Sequence, residues 1–184
     1  MLPEKELKQN LKNRKVLFDT NILIKAFEYP YAFKDILTKL NQFNCQLVDF
    51  ELINFEFTRN FYDPQHLKLR EDFLNKLTLI KLNFKPSLIQ EAIKIARLYS
   101  FKKIQKGQIS FIDCCIAAYL KQYPEELFLM TLNHSDFPVV IFDRLYIFPV
   151  DYRNEVLAPA IYRINLKKFK QIESILNSTF NMAN

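Results

Sequence analysis

Two rhythms of apolar residues alternate along the chain. Short, mainly apolar runs at 16–18 (VLF), 45–48 (CQLV), 77–82 (LTLIKL) and 127–131 (LFLMT) have the length of buried strands. Between them apolar residues recur at helical spacing. Leu7 and Leu11 follow Pro3; Phe33, Ile36, Leu37, Leu40 and Phe43 form a second set; a third runs from Pro64 through Leu74. Leu88, Ile89, Ala92, Ile93 and Ala96 follow Pro86, and Ser110 opens the helix SFIDCCIAAYLKQY. Residues 50–61 (FELINFEFTRNF) fit either period, with Asp49 placed to cap a helix there. Residues 139–142 and 146–150 read as two further short strands. Leu166, Phe169, Ile172 and Leu176 make the stripe of a final amphipathic helix, docked or oligomerising. Strands alternating with helices predict an α/β fold whose largely parallel sheet is covered on both faces.

The stretch at 16–27 (VLFDTNILIKAF) anchors this pattern. A buried strand ends on Asp19, and the polar turn Thr20-Asn21 opens a helix near Ile22. In open α/β sheets that edge is where ligands bind, because strand ends and helix N-termini converge there. Three other acids sit at comparable junctions: Glu56 between two phenylalanines, Asp113 three residues into the helix begun by Ser110, and Asp136 in the turn after the strand at 127–131. Each has an ordinary alternative. Asp19 is a good N-cap, Glu56 fits an exposed helix position with Glu51 as a nearby rival, Ser110 to Asp113 fits a capping box, and Asp136 fits a turn. What raises the four above those readings is their origin in separate elements that end on the same side.

Composition narrows the chemistry. With 184 residues, nearly half apolar and including 18 Phe, the chain can build one large core without disulfides. A single glycine, Gly107, rules out a Gly-rich phosphate loop or dinucleotide fingerprint. Three cysteines without Cys-x-x-Cys spacing, and a charged rather than apolar N-terminus, predict reduced thiols and a cytoplasmic protein. His66 and His134 are too isolated to build a zinc site. No apolar run approaches membrane-spanning length. The formal charge of +6 favours polyanionic partners without naming one.

The order and spacing of VLFDTN at 16–21, Glu56 on an apolar helix, ISFID at 109–113 followed by IAA at 116–118, and MTLN at 130–133 with Asp136-Phe137 resemble the PIN-domain nucleases. The resemblance spans about residues 15–150. It implies a single PIN-like domain, a three-layer sandwich around a mostly parallel five-stranded sheet with helices on both faces. The N-terminal helix at 1–14 and a basic extension at 151–184 would then be additions. It also implies that Asp19, Glu56, Asp113 and Asp136 form the acidic cluster that binds Mg²⁺ or Mn²⁺, with Thr20, Asn21, Thr131 and Asn133 as its polar surroundings.

Oxygen ligands without Cys or His select Mg²⁺ or Mn²⁺ over zinc, and such ions activate water and brace a phosphate. Asp19 and Asp113 are assigned as principal metal ligands, Asp136 as a second-metal or water-orienting ligand, and Glu56 as ligand or general base. The expected activity is endoribonuclease hydrolysis of RNA, with 5′-phosphate and 3′-hydroxyl ends by resemblance. Arg59, Lys102, Lys103, Lys106 and Arg144 are candidate RNA contacts, with residues 167–170 as an extension of the track; surface lysines are more often solubilising. Tyr29 and Tyr31 are candidates for base stacking. The family includes VapC toxins, which adds an antitoxin protein and a homodimer to the expected partners. A housekeeping RNA-processing nuclease and a PIN-like module without catalysis stand as alternatives. An aspartyl phosphatase with Asp19 as nucleophile fits less well, because such sites want an acid where Asn21 stands.

Overall fold

The computed structural model describes residues 4–59, 63–77, 80–102 and 109–181. Its elements follow in the order α1 (Glu4–Leu11), β1 (Lys15–Phe18), α2 (Thr20–Glu28), α3 (Pro30–Gln42), β2 (Gln46–Phe50), α4 (Glu51–Thr58), α5 (Pro64–Lys76) and β3 (Ile80–Leu82). Then come α6 (Pro86–Lys102), α7 (Phe111–Gln122), β4 (Leu127–Thr131), β5 (Phe142–Ile147), β6 (Val150–Tyr152), β7 (Glu155–Leu157), β8 (Ala160–Ile164) and α8 (Leu166–Asn181).

The central sheet has the order β3-β2-β1-β4-β8-β5, and β6 and β7 form a separate antiparallel pair. From β3 to β4 the strands run parallel, each reached through helices, as parallel pairing demands. Every residue of β4 is buried, so both faces of the sheet are covered at its centre. The chain leaves β1 toward β2 on one side and returns to β4 on the other. The topological switch point, where ligands bind in open α/β sheets, therefore lies at the C-terminal ends of β1 and β4.

The α/β class and mostly parallel sheet match the expectation from periodicity, but the strand count does not. Six strands build the sheet rather than five, and the sixth comes from the segment expected to be an extension. β8 lies between β4 and β5, antiparallel to both, and buries Ala160, Ile161, Tyr162 and Ile164. Residues 151–184 thus contribute to the core. The physical reason is that β4, apolar on both faces, needs a partner on its far side, and the AIYRI run supplies one.

Three smaller corrections follow. Residues 139–142 and 146–150 are not two strands: β5 runs through the interval with a bulge between Arg144 and Tyr146, and exposed Val139 and Val140 sit in a turn set by Pro138. Residues 51–58 are helical, yet Asp49 belongs to β2 and Phe50 is the cap residue without a side-chain bond. The helix behind Pro86 runs to Lys102, further than its apolar stripe suggests.

The N-terminal helix packs as its spacing predicts, with Leu7 and Leu11 fully buried, and α8 seats Phe169 in the core against α6. Asparagine takes two of the left-handed backbone positions that glycine usually fills, and Arg153 takes a third. Asn13 and Asn44 both have positive φ and join through a 2.7 Å side-chain bond. Among the described residues no helix is long and apolar enough to cross a membrane.

Candidate active site

Asp19 follows β1 directly, and the pairing of Phe18 with Met130 puts it beside Thr131 at the end of β4. Its amide donates to the Met130 carbonyl at 3.0 Å, which locks the two strand ends together. Its carboxylate does two jobs. Oδ1 accepts from the Thr20 amide at 2.7 Å, capping α2, and Oδ2 accepts from Thr131 Oγ1 at 2.6 Å and Asn21 Nδ2 at 2.5 Å. The capping and site readings of Asp19 therefore describe one conformation. Only 5 % of the residue is exposed, and burial drives its pKa above the ordinary carboxylate value, with the Glu56 charge adding to the rise.

Thr131 and Asn21 organise the far side. Asn21 Nδ2 donates to Thr131 Oγ1 at 3.1 Å, Asn21 Oδ1 accepts from the Leu132 amide at 3.0 Å, and the Asn133 amide donates to Thr131 Oγ1 at 2.8 Å. Asn133 Nδ2 then donates to Asp136 Oδ2, and Ser135 Oγ donates to Asp136 Oδ1 at 3.3 Å. One bonded chain so connects Asp19 to Asp136. On the near side Thr20 Oγ1 donates to Glu56 Oε2 at 2.7 Å, while Glu56 Oε1 stands 3.5 Å from Arg59. Glu51 points elsewhere, its Oε2 accepting from the Phe84 amide at 2.9 Å.

Asp113 arrives from the start of α7. Ser110 caps that helix, accepting from the Asp113 amide at 3.0 Å and donating to Asp113 Oδ2 at 2.5 Å. Burial and then the negative charges of Asp19, Asp136 and Glu56 push the Asp113 pKa up to about 7, although the Ser110 bond opposes the rise. Three carboxylates from other parts of the chain thus act on Asp113. Asp136 is raised by burial as well, against the opposing bonds from Ser135 and Asn133.

Among the described residues no three His, Cys, Asp or Glu side chains are grouped as a set that could hold a metal ion. Hydrogen bonds to Thr20, Asn21, Ser110, Thr131 and Asn133 hold the carboxylates in their separate positions. The donor chemistry still fits a hard divalent cation, since the surroundings offer carboxylate, hydroxyl and amide oxygens, and the nearby Cys114 thiol stays protonated at a pKa of about 11. Burial has already removed much of the water that would otherwise offset their repulsion.

Two supporting interactions lie beyond the sequence reading. Tyr99 of α6 is buried and donates its hydroxyl to the Asp136 carbonyl at 2.7 Å, fixing the turn. No sequence signal marks it, because it lies on the ordinary packed face of a helix. The bond from Ser110 to the Asp113 carboxylate goes beyond simple capping, and the S-x-x-D spacing is its only trace.

The basic candidates divide. Arg59 pairs with Glu56, and Arg144 lies near His134, whose pKa burial and then the Arg144 charge lower, and near Tyr162, whose burial-raised pKa the Arg144 charge opposes. Lys103 and Lys106 lie outside the described residues, as does the Lys102 side chain. Lys168 is tied to the Val139 carbonyl and Asp143, so it braces the fold, whereas Lys167 and Lys170 are less constrained, Lys170 being exposed. Tyr31 is 83 % exposed and Tyr29 stands edge-on to Tyr152 at 5.7 Å. The three cysteines are free, with burial pushing Cys45 and Cys114 to about 11 and Cys115 to about 12, so none is a ready nucleophile. Comparison with known protein families, with curated proteins and with solved structures gave no match.

Proposed function

We propose that the chain is a PIN-like endoribonuclease that uses Mg²⁺ or Mn²⁺ held by Asp19, Asp113 and Asp136, with Glu56 as a further ligand or as general base. What supports this most directly is the bonded chain that runs from Asp19 through Thr131 and Asn133 to Asp136, with Glu56 joined through Thr20 and Asp113 close enough for the charges of Asp19, Asp136 and Glu56 to raise its pKa. Arg59 pairs with Glu56, whereas among the described residues Asp19 and Asp113 are held by neutral donors alone. Structural carboxylates buried this far are normally given a countercharge; these two wait for one from outside.

A bound Mg²⁺ or Mn²⁺ supplies a water of lowered pKa and a brace for the phosphate. The protein's own share is orientation. Thr131, Asn21 and the Thr20 amide fix Asp19, Thr20 aims Glu56, Asn133 and Tyr99 fix the Asp136 turn, and Ser110 steadies Asp113. With its pKa at about 7, Asp113 is partly protonated at neutral pH, and a bound cation would favour its carboxylate form. The reading requires the carboxylates to draw together around the ion. The net positive charge favours a polyanionic substrate, with Arg59 and Arg144 as described cations near the site.

The test is incubation of single-stranded and structured RNA with the protein and Mn²⁺, with and without EDTA. Cutting that depends on Mn²⁺ and disappears in Asp19→Asn and Asp113→Asn supports the enzyme. RNA binding without cutting would instead identify a non-catalytic PIN-like module. Growth arrest on induced expression, relieved by Asp19→Asn, would separate a toxin with its antitoxin from a housekeeping nuclease.

A further inference from the structure

A second feature, independent of the nuclease reading, lies between α3 and the connection from β5 to β6. There a groove of ≈ 430 Å³ is walled by Tyr31, Asp35 and Lys39 on one side and by Tyr146, Phe148 and Asp151 on the other. Tyr31 is 83 % exposed in a chain that buries most of its large aromatic side chains, so its ring stands in water without a packing role. Tyr146 is held edge-to-face against buried Phe148 at 4.7 Å between centroids, which fixes its orientation. Over the Tyr146 ring sits the Lys39 ammonium, 5.8 Å from the centroid, so this surface already receives a cation.

The carboxylates point to the same chemistry. Asp35 and Asp151 are exposed, and neither takes part in an ion pair among the described residues. With Lys39 opposing them, the groove keeps an excess of one negative charge on a chain whose total is +6. An aromatic face beside a carboxylate suits a guanidinium, which stacks on the ring and donates in-plane to the oxygens. A phosphate would meet Asp35 and Asp151 and be repelled, so a nucleic acid is the wrong occupant.

We propose that this groove docks an arginine-bearing basic segment of a partner protein, one guanidinium lying on Tyr31 or Tyr146 and bonded to Asp35 or Asp151. The net charge of +6 disfavours non-specific attachment of such a segment, which leaves the groove and the acidic strand ends as the places to distinguish by experiment.

The experiment is titration of the full chain, at low and at physiological salt, with an acetylated and amidated tetra-arginine peptide, followed by calorimetry. Saturable one-to-one binding is expected, weakened about tenfold or more by the double variant Asp35→Asn/Asp151→Asn and by Tyr31→Ala, and unchanged in Asp19→Asn/Asp113→Asn. All three groove side chains are exposed, so these variants leave the fold intact. Absence of saturable binding overturns the proposal. So does binding that persists in the groove variants or vanishes in Asp19→Asn/Asp113→Asn, which would place the peptide on the acidic strand ends. Because the readout is peptide binding in metal-free protein, its failure leaves the nuclease reading untouched.

Discussion

Asp113 and Asp143 are the same residue type, both partly buried, and they carry opposite electrostatics. Asp143, on β5, accepts from Lys168 Nζ at 3.0 Å, from Asn165 Nδ2 at 3.1 Å and from Arg163 Nη2 at 3.3 Å. Burial alone would raise its pKa, but these cations and donors more than offset it, and the result lies below the ordinary value. Asp113 has a serine hydroxyl and three negative neighbours, and its pKa climbs to about 7. The fold therefore has the means to neutralise a half-buried aspartate. Among the described residues it does so for Asp143 and not for Asp113, and on the proposed reading this difference separates a brace from a site.

Substitutions at the two places should diverge. The largest effect is expected for Asp19→Asn or Asp113→Asn, which lowers Mn²⁺-dependent RNA cleavage by more than about 100-fold, whereas Asp143→Asn leaves the cleavage rate of the folded protein near wild type. Equal losses in both would break the contrast. Next comes Thr131→Val, which removes the bond to Asp19 Oδ2 and is expected to cost about 10–100-fold in Mn²⁺ affinity, read by titration of activity against metal.

Stability separates the regions with opposite signs. Asp143→Asn takes from Lys168 its carboxylate and leaves Arg163 with Glu125 alone among the described residues, and lowers stability by about 1–3 kcal/mol in urea unfolding at pH 7. Asp113→Asn, by contrast, relieves repulsion and raises the stability of metal-free protein at pH 8 by about 1–2 kcal/mol. The pH dependence follows from the same signs. Between the ordinary carboxylate value near 4 and its own value of about 7, Asp113 binds more protons folded than unfolded, so its contribution to stability falls as pH rises through that window. Asp143, with its pKa depressed, adds stability above the ordinary value and loses it as pH falls through the folded one. If metal-free wild-type protein and the Asp113→Asn variant changed stability by the same amount between pH 5 and pH 8, this account would be contradicted. The smallest effect is expected for Tyr99→Phe, a few-fold rise in the Mn²⁺ concentration for half-maximal cleavage, because the Asp136 turn loses one bond of several.

The parallel half of this fold is readable from the chain because each strand there is short, mainly apolar and followed by a polar junction. Three of the proposed site residues stand out for that reason: Asp19, Asp113 and Asp136 lie at or beside a junction between elements, whereas Glu56 lies inside α4 and is marked only by its flanking phenylalanines. Bonds such as Thr20 to Glu56 or Tyr99 to the Asp136 carbonyl are not legible, since they join residues 36 and 37 positions apart and depend on how helices settle against the sheet. β8 escapes for a different cause. Its five residues carry an arginine, Arg163, whose neutralisation by Asp143 and Glu125 is invisible without the pairing register. A strand that depends on its neighbours to tolerate a charge cannot announce itself by hydropathy.

The place of β8 also bears on how the protein is made. During synthesis β5 leaves the ribosome before the strand that must lie next to it, and its described sheet neighbour is β8 alone. A nascent chain halted after β5 therefore holds one sheet edge at β4 open and an orphan strand beside it, so a chaperone that guards exposed strands would have its longest engagement in that interval.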